Sequence, residues 1–239
     1  MTTNLLQETE AIASPNGRPC GGDSLELSGI VKRWQRKGAP VLDAVYLTVE
    51  PGTTTWIGGA NGVGKTTLLR IATGAIMPDS GEVWFGAVGP EIDRREYHRQ
   101  LAYLPAGDRN LYARLSVRRH LDLWGCLAAM DRGSRKAAIS RVLEQFGLLE
   151  LANRRCDRLS LGQRQRVRLA GTFLHEPSLV LLDEPHTSLD EEGLAMLAEA
   201  CARIVARGGV MIWCSPPLER SKLPSDRQLV LEGGKLREQ

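Results

Sequence analysis

The sequence predicts an α/β fold: a mixed, largely parallel sheet with an antiparallel β subdomain feeding into it and a helical insertion in the middle of the chain. Three observations carry this. A glycine-rich turn, Gly59 to Thr66, lies between the apolar strand-like "TTTWIGG" and the helix-like "KTTLLRIATGAI". Two apolar runs, "SLVLLDE" and "GGVMIWC", flank the helical stretch "SLDEEGLAMLAEACARIVARG", the order that parallel strands joined by a right-handed crossover require. Between these sections, three stretches of helical period follow one another.

The elements read in order as follows. Residues 1–23 mix Thr, Asn, Pro and Gly with no apolar period, which predicts a disordered tail. "LELSGIVKRW" and "VLDAVYLTVE" alternate apolar and polar residues on either side of the turn-like "QRKGAP", as an antiparallel pair does. "TTTWIGG" is a strand ending in glycines, "KTTLLRIATGAI" a helix with Leu68, Leu69 and Ala72 on one side, and "GEVWFGAV" a strand again. "LAYLP" is a further strand. "SVRRHLDLWGCLAAM", "SRKAAISRVLEQFGLL" and "SLGQRQRVRLAGTFLHE" are helical, each opening near a serine able to cap it: Ser116, Ser134 and Ser160. After "VMIWCS", Pro216 and Pro217 supply no backbone N–H and force extended geometry, so sheet pairing must stop there. "RQLVLEGGKLRE" closes as a hairpin turning at Gly233-Gly234.

Composition bounds the rest. With 239 residues, 42% of them hydrophobic, the chain can bury one substantial core and forms one globular unit. The five cysteines are scattered, with no CxxC pair or nearby histidine cluster, which argues against zinc or a redox pair and for a reducing compartment. No apolar run approaches the roughly 18 residues of a membrane span. Net charge is +3, but Arg94 to Arg168 carries 17 Lys and Arg against 7 Asp and Glu, a local +10. Such a segment is either a solvated face or a surface for phosphate, acidic lipid or an acidic partner.

Gly59-Ala60-Asn61-Gly62-Val63-Gly64-Lys65-Thr66 fits G-x-x-x-x-G-K-[ST] in the strand–loop–helix context that pattern needs. Glycines let backbone N–H groups and a helix N-terminus curl around an anion, with Thr67 following in the first turn. Lys65 is placed to reach β- and γ-phosphates, and Thr66 to give a hydroxyl to Mg²⁺. In "LVLLDE", Asp183 emerges at the end of a buried strand to hold the magnesium, and Glu184 beside it can orient or deprotonate an attacking water.

These two motifs leave many nucleotide enzymes open; Ser160-Leu161-Gly162-Gln163, preceded by Leu159, narrows them. This stretch resembles the LSxGQ signature of ATP-binding cassette (ABC) proteins, and the resemblance runs from about Leu25 to the C-terminus. It implies a P-loop ATPase domain over residues 24–239 with a helical subdomain at about 91–169. It further implies ATP as substrate and Mg²⁺ as cofactor, bound in a head-to-tail dimer with a second nucleotide-binding domain, a copy or a paralogue, whose signature serine closes on ATP held by the first. The work then goes to a separate transmembrane permease subunit, with this chain peripheral on the cytoplasmic face of the inner membrane. Trp34 stands where the family stacks an aromatic on adenine, an ordinary core tryptophan being the alternative. Ser188-Leu189-Asp190 resembles the D-loop that links the two ATP sites.

Two family marks are missing. After "LAYLP" a glutamine is usual, and here the chain reads Ala106-Gly107-Asp108-Arg109, with Asp108 a candidate substitute. At the end of the last core strand a histidine is usual; here Ser215 or Pro216 stands there, and none of His98, His120, His175 and His186 is assigned to the role. The wording "GDRNLYARLSVRRHL" resembles single-domain exporter ATPases. The expectation is therefore an ATPase for export, slow for want of these two side chains. The alternatives are a soluble ABC ATPase acting on nucleic acid or the ribosome, and a non-hydrolysing ATP-gated module. Nucleic acid is not the expected partner, because neither a second cassette nor a long linker insertion is present.

Overall fold

The computed structural model describes residues 23–35, 37–108 and 110–239. The expected disordered tail, residues 1–23, therefore lies outside the described residues except for Asp23. Two sheets stack in an α/β architecture. The smaller is antiparallel, in the order β2-β1-β4, with β1 at Leu25–Lys32, β2 at Leu42–Val49 and β4 at Ser80–Phe85. The larger runs β5-β6-β7-β3-β8-β9, where β3 is Thr54–Gly58, β5 Leu101–Leu104, β6 Leu179–Asp183, β7 Val210–Ser215, β8 Arg227–Glu232 and β9 Lys235–Glu238. All its pairs are parallel except the closing β8–β9 hairpin.

The residue pattern explains which strands sit centrally. β3, β6 and β7 are buried along their whole length, the signature of parallel strands covered on both faces. Successive side chains serve opposite layers: Ile57 joins the core beneath the antiparallel sheet with Leu25, Val45, Leu68 and Phe85, while Trp56 joins the core beneath the helices with Val117, Phe146, Val167 and Trp213. Complete burial of a side chain of this size contributes about 2 kcal/mol relative to exposure. Deep burial of β3 fixes the loop that follows it.

The helices are α1 at Lys65–Ala72, α2 at Arg94–Gln100, α3 at Val117–Leu127, α4 at Arg132–Gln145, α5 at Leu161–Thr172 and α6 at Glu191–Ala206. Ser116 and Ser160 cap α3 and α5 as expected. Ser134 does not cap α4: Asp131 does, its Oδ1 accepting from the N–H groups of Gly133 at 2.9 Å and Ser134 at 3.0 Å. A carboxylate satisfies two orphan donors there and also complements the helix dipole. β5 interrupts the helical stretch 91–169 and pairs with β6, so the chain returns to the central sheet before α3 begins. β7 ends at Ser215, Pro216 is extended, and a 3-10 turn over Pro217–Lys222 follows. The prolines thus stop the ladder where they stand.

Candidate functional site

β3 delivers the chain into the glycine loop at Gly59, and α1 begins at Lys65. Gly64 has φ of +115°, and an added Cβ would meet Val41 Cγ2 at 3.0 Å and the Val41 carbonyl at 3.1 Å. Only glycine satisfies both the left-handed backbone and the close approach. Lys65 is buried, and its ammonium donates to the carbonyls of Gly59 at 2.7 Å and Ala60 at 3.1 Å, so it lies across the inside of the loop Gly59–Gly62–Gly64. Ala60, Asn61 and Val63 complete that loop, with Val63 N–H closing on the Ala60 carbonyl, and Thr67 is buried in the first turn of α1.

Across from the loop, Thr66 Oγ1 donates to Asp183 Oδ2 at 2.7 Å. Burial pushes the Asp183 carboxyl above its ordinary range, opposed by this hydrogen bond and by the charges of Lys65 and Arg70. A hydroxyl and one buried carboxylate form an all-oxygen donor pair that suits Mg²⁺, an ion that takes few protein ligands and completes its shell with water and substrate phosphates. The set fits the ion, and Thr66 and Asp183 are the residues that would hold it. Among the described residues no cluster of three or more His, Cys, Asp or Glu offers another metal site.

Glu184 leaves β6 with φ of +50°, its N–H donating to the Cys214 carbonyl at 2.9 Å. A non-glycine residue held there stores strain of order 1–3 kcal/mol, a feature that clusters at functional sites. Its carboxylate makes no hydrogen bond or ion pair among the described residues.

The signature and D-loop residues lie together elsewhere. Ser160 Oγ accepts from Gln163 N–H at 3.2 Å while Gln163 Oε1 accepts from Ser160 N–H at 3.0 Å, a complete capping box on an exposed helix tip with Leu161 and Gly162 between them. A Cβ on Gly162 would come within 3.0 Å of the Ser188 carbonyl, and Ser188 itself has φ of +66°. Leu189 packs against the helical core, and Asp190 caps α6 through Gly193 N–H. Arg166 ties the two loops by donating to Asp190 at 2.7 Å and Glu192 at 2.8 Å, which holds the Asp190 carboxyl below its usual range. A depression of about 350 Å³ opens among Ser160, Gly162, Gln163, Ser188 and Asp190. No hydrogen bond or ion pair among the described residues directly joins this group to the Gly59–Thr67 group.

The remaining sequence candidates divide. Trp34 is 60% exposed beneath the Lys32 ammonium, whose Nζ lies 5.7 Å from the ring centroid, so the core-tryptophan alternative is not realised. Asp108 turns to α5 and pairs with Arg164 at 3.4 Å; the residue of that loop whose backbone N–H reaches Asp183 is Ala106. Ser215 is fully buried, its hydroxyl accepting from Trp56 Nε1 at 2.9 Å and donating to the Pro216 carbonyl at 3.0 Å. It is spent on holding the strand end. His186 is buried edge-on against Trp213.

Sequence reading missed Arg168 and Gln165. Arg168 is 4% exposed and donates to the carbonyls of Pro105 and Gly107 and to Gln165 Oε1, while Gln165 Nε2 donates to the Pro185 carbonyl at 2.9 Å. The spacing held the signal: in Arg164, Arg166 and Arg168, the outer two share a helix face four residues apart and the middle one points away.

A largely parallel sheet whose first core strand feeds a glycine loop, a buried lysine and a threonine–aspartate pair defines a P-loop nucleotide-binding protein. The family model described as ABC transporter matches residues 42–187, over half of the chain. The chain belongs to the ABC transporter family, as a nucleotide-binding subunit. It is similar to the cytochrome c biogenesis ATP-binding export protein CcmA 2 of Salmonella paratyphi A, at 32% identity over 200 residues covering 84% of this chain and 94% of that one. It is also similar to the aliphatic sulfonates import ATP-binding protein SsuB 1 of Burkholderia lata, at 38% identity over 175 residues covering 73% of this chain but only half of that relative's length. Relatives thus include an exporter and an importer by name. In fold it matches a dimeric ATP-binding cassette in a post-hydrolysis state bound to ADP and Pi, with a TM-score of 0.78, 22% identity and coverage of 90% and 97%.

Proposed function

We propose that this chain binds and hydrolyses Mg·ATP in a head-to-tail dimer and drives a separate transmembrane subunit, in the direction of export. The observation that supports this best is that the Ser160 and Gln163 side chains bond only within their own capping box at an exposed helix tip, with no hydrogen bond among the described residues to the Gly59–Thr67 loop of the same chain. Facing copies bring the Ser160 helix tip of one to the phosphates held by Gly59–Thr67 of the other. Lys65 and the loop N–H groups hold the triphosphate, Thr66 and Asp183 hold the magnesium that neutralises developing charge, and Glu184 orients the attacking water. Ser188, Leu189 and Asp190, bonded to the signature helix through Arg166, move with it as the D-loop.

Among the described residues no helix is long and apolar enough to cross a membrane. A groove of about 340 Å³ between β5 and the helices, lined by Tyr103, Pro105, Trp124, Ala128 and His175, is the place for the transmembrane subunit's cytoplasmic segment. Export rests on the "DRNLYARLS" wording and on the name of one relative. Slow turnover is read from Ser215, whose hydroxyl is engaged inward by Trp56 and the Pro216 carbonyl rather than turned to a γ-phosphate. The test is the molar mass in solution with and without Mg·ATP, read by light scattering alongside phosphate release. Doubling of mass with slow release supports the reading; a monomer that turns over ATP at full rate sinks it.

Exposed Trp34 supports a role as adenine platform. Trp34→Ala is expected to weaken ATP about tenfold, since stacking of a base on an aromatic ring is worth roughly 1–3 kcal/mol, with kcat little changed. Equilibrium binding of a fluorescent ATP analogue measures this; unchanged affinity assigns Trp34 to the surface alone.

A further inference from the structure

Apart from α5 and the loop around Ala106, the basic segment from Arg94 to Arg168 has no part in the candidate ATP site, and the structure gathers much of it into one place. α3 and α4 pack together, and between their outward faces lies a concavity of about 410 Å³ walled by Arg118 and Arg119 from α3 and by Arg132, Arg135 and Lys136 from α4. A single carboxylate, Asp122, enters the wall, and Arg135 takes it at 2.7 Å. The other four cations make no side-chain hydrogen bond or ion pair among the described residues. Elsewhere the chain pairs its arginines readily, as in Arg141 with Glu176 and Arg227 with Glu238.

This arrangement works against the fold. Arg132 and Lys136 stand four apart and Arg132 and Arg135 three apart on one helix, spacings at which like charges repel, and Arg132 adds a positive charge at the N-terminal end of α4, where the capping Asp131 carboxylate offsets part of it. A solvated basic face needs no cavity and spreads its charge over convex surface. Here the cations converge on a space of ligand size, and they are arginines four to one. The guanidinium fork matches phosphate and carboxylate oxygens two at a time, and several uncompensated forks call for more negative charge than one carboxylate brings.

We propose that this concavity binds a phosphate-bearing dianion, a phosphomonoester or diphosphate group, at a site separate from the Gly59–Thr66 loop. The site lies on a different face of α3 from Trp124 and Ala128, which line the groove against β5, so a ligand there leaves that groove open. The phosphate belongs either to a soluble metabolite or to a lipid headgroup. The inference stands on these charges alone and does not depend on the ATP reading.

The experiment uses the full chain saturated with Mg·ADP, which closes the glycine loop to competing anions, and titrates it with pyrophosphate by calorimetry. One binding event is expected, weakening steeply as salt rises. Arg119→Gln combined with Arg132→Gln is expected to weaken it at least tenfold at an unchanged melting midpoint, as both side chains are exposed. Lys136→Gln alone gives a smaller loss and serves if the double variant melts early. Sedimentation with phosphatidylcholine vesicles, with and without phosphatidic acid, separates the sources: retention only on the acidic vesicles, lost in the variant, identifies a headgroup, and pyrophosphate binding without retention identifies a soluble ligand. The proposal is overturned by absence of both signals, by binding that the variants leave intact, or by a polyglutamate peptide that competes as well as pyrophosphate does.

Discussion

Glu184→Gln is expected to lower ATP turnover by a factor of 10² to 10³ while leaving ATP affinity within a few-fold and prolonging the ATP-bound dimer. The substitution preserves volume and the hydrogen-bonding reach of the side chain but removes its ability to accept a proton, and a positioned base of this kind contributes about 10² to 10⁴ in rate. Affinity should hold because none of the contacts that build the loop pass through this side chain. The backbone at residue 184 is pinned by its N–H to the Cys214 carbonyl and by Thr187 N–H to its own carbonyl, bonds that glutamine keeps. Single-turnover phosphate release paired with light scattering measures both halves of the expectation. Turnover that survives the change at the wild-type rate removes Glu184 from the water-activating role, and a slow reaction in the wild type makes the pre-steady-state measurement the decisive one.

Much of the fold was legible because its strongest signals are local and redundant. A strand apolar throughout, a glycine loop and a helix must follow each other in space as they do in sequence, and the Ser160–Gln163 capping box can be read from two residues three apart. Pro216 and Pro217 end β7 by removing donors, whatever the tertiary context. The failures share a cause as well. α2 buries only Tyr97, so "RREYHRQ" shows no apolar period to detect. Ser134 lost the cap of α4 to Asp131 because both residue types cap well and only the path of the chain decides between them. Trp34 could be core or surface by sequence, since an aromatic near a turn is compatible with both. Arg168 was invisible as a structural residue because its acceptors are backbone carbonyls some 60 positions away, and carbonyls leave no mark in a sequence.

That arginine carries the other large expectation. Arg168 and Gln165 form a chain of donors and acceptors from the loop after β5, through α5, to the Pro185 carbonyl immediately beyond Glu184. Burial lowers the guanidinium pKa, opposed by the negative charge of Asp108, and the cation is held by hydrogen bonds to neutral acceptors. Arg168→Met keeps the apolar stem but leaves the buried Gln165 Oε1 and the part-buried carbonyls at 105 and 107 without that donor; an unmet buried acceptor costs roughly 1–3 kcal/mol, and acceptors that water can reach cost less. A loss of about 1–2 kcal/mol in unfolding free energy is therefore expected by chemical denaturation. Arg168→Lys should recover only part of it, because one ammonium cannot span three acceptors held in a fork. Gln165→Leu separates the two ends of the chain: it spares the bonds from Arg168 to Pro105 and Gly107 but frees Pro185, so kcat should fall while KM for ATP holds. If Arg168→Met stays within about 0.5 kcal/mol of the parent, surface-like by the usual measure, water has replaced the guanidinium and the loop after β5 is held by something else.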